Sequence, residues 1–169
     1  MIHRAWEESL DFMSLEVIKV ESPTDEVRLL IGELDTELNA TYSAEQRHGF
    51  NISRLFQPGI SFFVARMDGN PSGCGGVAFD DGLAEVKRMY VRPIFRGCNV
   101  AQAILARLEQ QARDHGFKRL VLETGDAQAA AMRFYQRQGF IRCEAFGEYA
   151  KMPEPSIVRS VFFEKRLVG

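Results

Sequence analysis

Cysteine is scarce in this 169-residue chain: Cys74, Cys98 and Cys143 are odd in number, far apart and without a C-x-x-C spacing. A disulfide framework is not indicated, and the equally scattered His3, His48 and His115 give no zinc-ligand pattern, so no metal is expected. No apolar run approaches the ~18 residues that a membrane span needs. The opening stretch "MIHRAWEESLDF" carries acidic residues and no apolar core, which argues against a signal peptide and for a cytoplasmic protein. A formal net charge of -2 gives no global attraction to nucleic acid or acidic membrane. Repeats, low-complexity tracts and obvious linkers are also missing, so one domain spanning residues 1–169 is the economical expectation. One further absence is local: the helical pattern that starts at residue 99 has no acidic side chain until Glu109. Helix starts favour Asp and Glu, because exposed amides and the macrodipole attract anions.

What is present is ordinary for a globular enzyme: 46% hydrophobic and 26% charged residues. "LEVIKV" (15–20) alternates as a half-buried strand, and "SPTDEVRLLIGELDTEL" then predicts a helix with Ser22 as N-cap and Pro23 at the first helical position. A shorter helix is expected from Ser43 through Phe50 to Leu55. Strands at 61–67, 73–79 and 83–91, joined by Gly- and Asp-bearing turns, read as an antiparallel meander. Helix 99–115, strand 119–124, helix 127–138 and two closing strands, "FIRCEAF" and "SIVRSVFFEKRL", follow. A helix between strands 83–91 and 119–124 suits a right-handed parallel crossover. The fold expected is α/β in the α+β sense: a mixed, mostly antiparallel central sheet with one parallel strand pair. The last strand could pair across a homodimer or complete its own sheet.

The strand, tight turn and helix at 91–101 form a physical recipe for holding phosphate. Turn and first-turn amides converge, the dipole adds positive charge, and Gly97 permits close approach of the backbone. Arg96 can add a charge-assisted bond, with Arg92 as a further candidate. Neither G-x-x-x-x-G-K-[ST] nor G-x-G-x-x-G is present, so a P-loop or dinucleotide fold is poorly supported. The plain alternative is a loop shaped by Gly97 and Asn99 beside two solvated arginines.

Arg96-Gly97-Cys98-Asn99-Val100-Ala101, preceded by "EVKRMYVRP", resembles the [RQ]-x-x-G-x-[GA] pyrophosphate loop of the GNAT superfamily of acyl-CoA-dependent N-acetyltransferases. Asn99 replaces the middle glycine, and asparagine is the non-glycine residue most tolerant of positive φ. Downstream, "QAAAMRFYQRQGF" (128–140) is similar to the family's N-x-x-A-x-x-x-Y-x-[KR]-x-G-F element, with Gln128 in the asparagine position and Ala131, Tyr135, Arg137, Gly139 and Phe140 in register. The resemblance spans roughly residues 60–165. It implies a GNAT-like fold with helices on both faces of the sheet and a splayed parallel strand pair that receives the pantetheine of acetyl-CoA. The backbone of Met89, Tyr90 and Val91, the loop Arg96, Gly97, Cys98, Asn99, Val100 and Ala101, and Gln128, Ala131 and Tyr135 on the facing helix would form the coenzyme A site.

The reaction implied is direct transfer of acetyl to a primary amine of a small molecule through a tetrahedral intermediate. An alkyl amine with a pKa near ~10.4 must lose a proton before attack. Glu85, in "LAEVKRMYV", stands where family members often carry a glutamate acting through water, and its bland alternative is an ion pair with Lys87. Tyr135 matches the tyrosine beside the departing sulfur. Cys98 at a helix N-terminus raises a ping-pong route, but its position in the resemblance points away from the acyl group. Tyr42, Phe146 and Tyr149, with Phe50, are expected to line the acceptor pocket, ordinary core packing being the competing account. A peptide or protein N-acetyltransferase and a non-catalytic acyl-CoA sensor are the alternatives that Asn99 and Gln128 keep open.

Overall fold

The computed structural model describes residues 13–168, so the reading of the N-terminal segment as no signal peptide, and the placing of His3, lie outside the described residues. Seven strands form one sheet: β1 (Leu15–Val20), β2 (Ile60–Met67), β3 (Asn70–Asp80), β4 (Leu83–Val91), β5 (Arg119–Gly125), β6 (Ile141–Arg142) and β7 (Ser160–Arg166). Their spatial order is β1-β2-β3-β4-β5-β7-β6, and every neighbouring pair is antiparallel except β4 with β5. The helices are α1 (Asp25–Asn39), α2 (Ile52–Leu55), α3 (Val100–Asp114), α4 (Ala129–Arg137) and α5 (Glu154–Ile157).

The strand period of two divides the core between the faces. Phe62 and Val64 of β2 pack with Val27, Leu30 and Ile31 of α1 and Leu55 of α2. Phe63, Ala65 and Met67 face the other way, against Ile104, Leu105 and Leu108 of α3 and Tyr135 of α4. The mixed sheet with helices on both faces is therefore the fold expected. Close approach of α3 depends on glycines in β3: a Cβ on Gly73 would lie 2.7 Å from the Tyr90 carbonyl and 3.1 Å from Ile104.

Several local expectations are corrected. Thr24, not Ser22, caps α1: its hydroxyl accepts from the Val27 amide at 3.4 Å, and Asp25 and Glu26 complement the dipole. The expected helix from Ser43 to Leu55 breaks into a 3-10 turn (Ala44–Gln46) and the short α2. Asn51 starts α2 afresh by accepting from the Arg54 amide at 2.9 Å, and residues 47–50 between the two pieces are non-helical. "FIRCEAF" forms only the two-residue β6, and the first two residues of the last segment, Ser156 and Ile157, end helix α5 before β7 begins at Ser160. Strand β7 completes its own sheet, flanked by β5 and β6.

Gly73→Ala is expected to lower stability by about 1–3 kcal/mol through overpacking. Gly32→Ala, in helix α1 with open space around the added carbon, should raise it by roughly 0.5–1 kcal/mol. Urea denaturation of both variants checks the pair, and equal effects would contradict the packing argument.

Candidate active site

Parallel pairing of β4 and β5 is limited to Ala84 with Leu120 and Glu85 with Val121. Beyond these the strands separate. The Arg92 amide still donates to the Ser72 carbonyl on the β3 side at 2.9 Å. Amides alternate sides along a strand, so those of Val91 and Met89 face the gap on the β5 side.

A β-bulge sits in the same stretch. The register with β3 shifts between Cys74 and Gly76, and Arg88 adopts a φ of 56°. A bulge inserts one residue and re-aims the side chains after it. Ala84 and Val86 pack toward α3 before the bulge, while Met89 and Val91 do so after it. Lys87 and Arg88, consecutive in sequence, consequently both border the cavity on the α1 side.

The strand leads through a 3-10 turn (Pro93–Phe95) into the N-terminus of α3. Gly97 has a φ of 81° and Asn99 is left-handed at φ 63° and ψ 16°, the conformation for which asparagine substitutes for glycine. Among the described residues the amides of Gly97, Asn99, Val100, Ala101 and Gln102 meet no acceptor. The Cys98 amide is the exception, donating to the Phe95 carbonyl at 3.3 Å, so it leaves the expected amide series. The Cys98 side chain packs toward the core beside α3 instead of lining the cleft, which removes the geometry for a ping-pong route. Arg96 turns to Glu37 of α1 at 3.0 Å and to the Val91 carbonyl at 3.0 Å, and Arg92 pairs with Glu33 at 3.1 Å. The Tyr90 ring is buried against α1, where its hydroxyl donates to Glu33 at 3.2 Å.

These elements enclose a cleft of about 520 Å3 between β4, the α3 N-terminus and α4, bordered by Met89, Val91, Gly97, Asn99, Ala131 and Tyr135. It joins an inner cavity of about 140 Å3 that also reaches Tyr42, Glu85, Glu123 and Tyr149. Gln128, Ala131 and Tyr135 border both. Phe146 does not reach the inner cavity: it lies behind Tyr149 and faces a separate hollow shared with Phe50. Tyr42 is held at the turn after β5, where its hydroxyl accepts from the Ala127 amide at 2.9 Å.

A buried polar cluster forms one wall of the inner cavity. Tyr149 donates to Glu85 Oε1 at 2.6 Å, and Lys87 Nζ lies 2.7 Å from the Tyr149 oxygen and 3.1 Å from Glu85. The ion pair weighed for Glu85 is therefore present. Burial lowers the Lys87 pKa, against the pull of Glu85, and raises that of Tyr149 far above the phenol range, with Glu85 and Glu123 adding to the rise. The Lys87 ammonium also sits 4.3 Å over the Phe50 ring.

Glu123 on β5 is the residue that sequence reasoning missed. Burial raises its carboxyl pKa, opposed by a hydrogen bond from Ser160 at 2.8 Å and by the charges of His48 and Lys87. Its position in "RLVLETG" carried no motif, and only the splay brings it into the cavity. Tyr135, which donates to no described residue, is held neutral by burial and by the charge of Glu123.

The family model described as "Acetyltransferase (GNAT) family" matches residues 29–140. The chain belongs to the GNAT acetyltransferase family. It is 43% identical over 150 residues to the IAA acetyltransferase of Azospirillum brasilense, covering 87% of this chain and 95% of that protein. A crystal structure from Klebsiella pneumoniae, provisionally described as an acyl-CoA N-acyltransferase, superposes with a TM-score of 0.72 at 32% identity, covering 91% of this chain and 98% of that one. A PaiA N-acetyltransferase from Thermoplasma acidophilum, solved with coenzyme A, shares the fold with a TM-score of 0.66 at 18% identity, covering 91% and 99%. The protein is accordingly an acyl-CoA-dependent N-acetyltransferase. Its free amides at the α3 N-terminus and its open β4 edge suit a long pyrophosphate- and amide-bearing cofactor. No described helix is long and apolar enough to cross a membrane.

The raised pKa of Glu123 fixes the sign of a stability effect. An unfolded glutamate ionises near ~4.3, and the folded one at higher pH, so stability falls as pH rises through that window. Glu123→Gln cannot ionise. It should melt above the wild type at pH 8, with the gap closing as pH is lowered to 4; a gap independent of pH would contradict the burial of this charge.

Proposed function

We propose that this acetyltransferase moves acetyl from acetyl-CoA directly to a primary amine of a small molecule, with Tyr135, Glu123 and Glu85 as the groups around the reacting atoms. The observation that carries the reading is the continuity of the two cavities, which share Leu34, Met89, Gln128, Ala131 and Tyr135. The amides of Gly97, Asn99, Val100 and Ala101 would hold the pyrophosphate, and the backbone of Met89 and Val91 the pantetheine. The left-handed geometry of Asn99 supports a working loop despite the missing glycine. An inner cavity of about 140 Å3, at roughly 10–15 Å3 per water-sized site, has room for on the order of ten non-hydrogen atoms, which favours a small acceptor over a peptide. The relative named IAA acetyltransferase supports the same choice. A cytoplasmic location fits acetyl-CoA as the donor.

Acetyl-CoA supplies an activated thioester carbonyl. The Val91 amide, aimed into the gap, is placed to stabilise negative charge on that carbonyl oxygen during attack. Glu85 spends one oxygen on Tyr149 and Lys87. Glu123, whose carboxyl pKa burial raises and which borders the cavity beside Tyr135, is assigned the amine proton, and Glu85, engaged by Tyr149 and Lys87, a charge-balancing role. An ammonium acceptor gives up one proton to Glu123 and becomes nucleophilic. Its nitrogen would then bond the acyl carbon, giving the tetrahedral oxyanion that the Val91 amide faces, and shed a second proton before the carbonyl re-forms and the carbon–sulfur bond breaks. Sulfur leaves as the thiol with the Tyr135 proton, which the second amine proton replaces through water. One proton is released overall.

Glu123→Gln should lower kcat/KM for an amine by about 100-fold or more and remove the acidic limb of its pH profile. Tyr135→Phe should lower kcat by roughly 10- to 100-fold with acetyl-CoA affinity kept within about twofold. Steady-state kinetics with calorimetric binding check both. An intact acidic limb in Glu123→Gln that disappears in Glu85→Gln would return the base to Glu85.

A further inference from the structure

The inner cavity has more positive charge than its own carboxylates neutralise. Arg47, Lys87 and Arg88 border it, against Glu85 and Glu123. Lys87 is paired with Glu85 at 3.1 Å. Arg88 binds Asp35 of α1 through Nη2 only, and Asp35 does not border the cavity. Arg47 makes no ion pair with any described residue.

The unmet valences are specific. Arg47 Nε and Arg88 Nε are both buried and both without a hydrogen-bond partner, and the Arg88 side chain is only 5% exposed. A buried donor left unpaired costs the desolvation of that group, and more so when it is charged. Two such donors, on residues that border one cavity of an enzyme, point to a partner that arrives with the substrate. The Nε edge of a guanidinium presents parallel donors that match a carboxylate; Arg47 has no ion-pair partner among the described residues, and Arg88, with Nη2 on Asp35, adds its Nε.

Both arginines are placed there by departures from regular structure. The bulge in β4 turns Arg88 to the same side as Lys87. The non-helical residues 47–50 lay Arg47 along the cavity, and this segment lies directly against Arg88: a Cβ on Gly49 would stand 2.2 Å from Arg88 Nη1. Glu123, Glu85 and Tyr135 border the same small space. One cavity is thus bordered both by cationic side chains that suit an anion and by carboxylates that suit an amine.

We propose that the acceptor is an amine that also carries a carboxylate, an amino acid in chemical class, whose carboxylate is held by Arg47 and Arg88 while its amine faces Glu123. This rests on the small-molecule amine reading given above and deepens it. The size of the cavity, at roughly ten non-hydrogen atoms, fits a single amino acid. A bare alkylamine would leave both Nε donors without a partner.

Each member of a panel of amino acids would be assayed beside its decarboxylated amine and its carboxamide, with wild type and Arg47→Gln. Binding of the same compounds to the enzyme loaded with coenzyme A would be followed by calorimetry. Wild type should prefer the free acid over both neutral partners by about 10- to 100-fold in kcat/KM, the range for one charge-assisted contact. In Arg47→Gln that ratio should fall toward one, and calorimetric binding of the acids should weaken by a similar factor with acetyl-CoA affinity kept. Arg88→Lys, which retains the charge and loses the fork, should show the same loss of ratio if it folds; Arg47→Gln suffices if it does not. Turnover of neutral amines as fast as the acids would overturn the carboxylate proposal and leave amine acetylation standing. Binding of amino acids that Arg47→Gln abolishes, with no amine of either kind acetylated, would support the anion site and defeat the small-amine reading.

Discussion

Parallel hydrogen bonding between β4 and β5 ends after two residue pairs, and the site is built on that early stop. A buried strand edge that loses its neighbour keeps amides and carbonyls that need partners. Here the edge is Met89 to Val91, with the five acceptor-free amides at the start of α3 close behind it in the chain. One ligand with amides along its length and phosphate at its end would answer both needs, and the coenzyme A of the family has that chemistry. The sheet stays intact around the gap because β3 grips β4 on the other side and β7 grips β5 along its whole length.

The bulge at Arg88 is the second constraint. Without it, alternation along β4 would direct Arg88 toward α3 and away from Lys87. With it, Glu85, Lys87 and Arg88 share one cavity, and Tyr90 turns in to pack on α1. A left-handed arginine costs of order 1–3 kcal/mol, and such strain is concentrated at functional sites. The Asp35 contact and the covering segment 47–49 help hold it in place.

Much of the fold was legible in the sequence, because long periodic segments identify themselves. β2, α3 and β5 fall within a residue or two of expectation, and the left-handed turn into α3 was signalled by Gly97 and Asn99. Less was legible wherever side chains choose between equivalent local solutions. Nothing in "SPTD" says that Thr24 outcompetes Ser22 as a cap, and in "LAEVKRMYV" the bulge shows only as the change of phase at Lys87-Arg88, too short a signal to be told from an irregular strand. The bulge and the splay together decide which charges meet. The meeting of Glu123, Arg47 and Arg88 at one cavity was therefore beyond reach, while Glu85 and Tyr135, which border the same cavity, were singled out through a resemblance tied to fixed positions. Phe146 shows the opposite error: an aromatic near the site by element order that packs behind it.

The central claim is that the open β4 edge and the α3 N-terminus receive one continuous cofactor. Amide hydrogen exchange measured residue by residue, with and without saturating acetyl-CoA, tests it most directly. The account predicts slowed exchange at Met89, Val91, Gly97, Asn99, Val100 and Ala101, and little change at Cys98, whose amide is already bonded to Phe95. Saturable binding that leaves the Met89 and Val91 amides exchanging at their unliganded rates would contradict it.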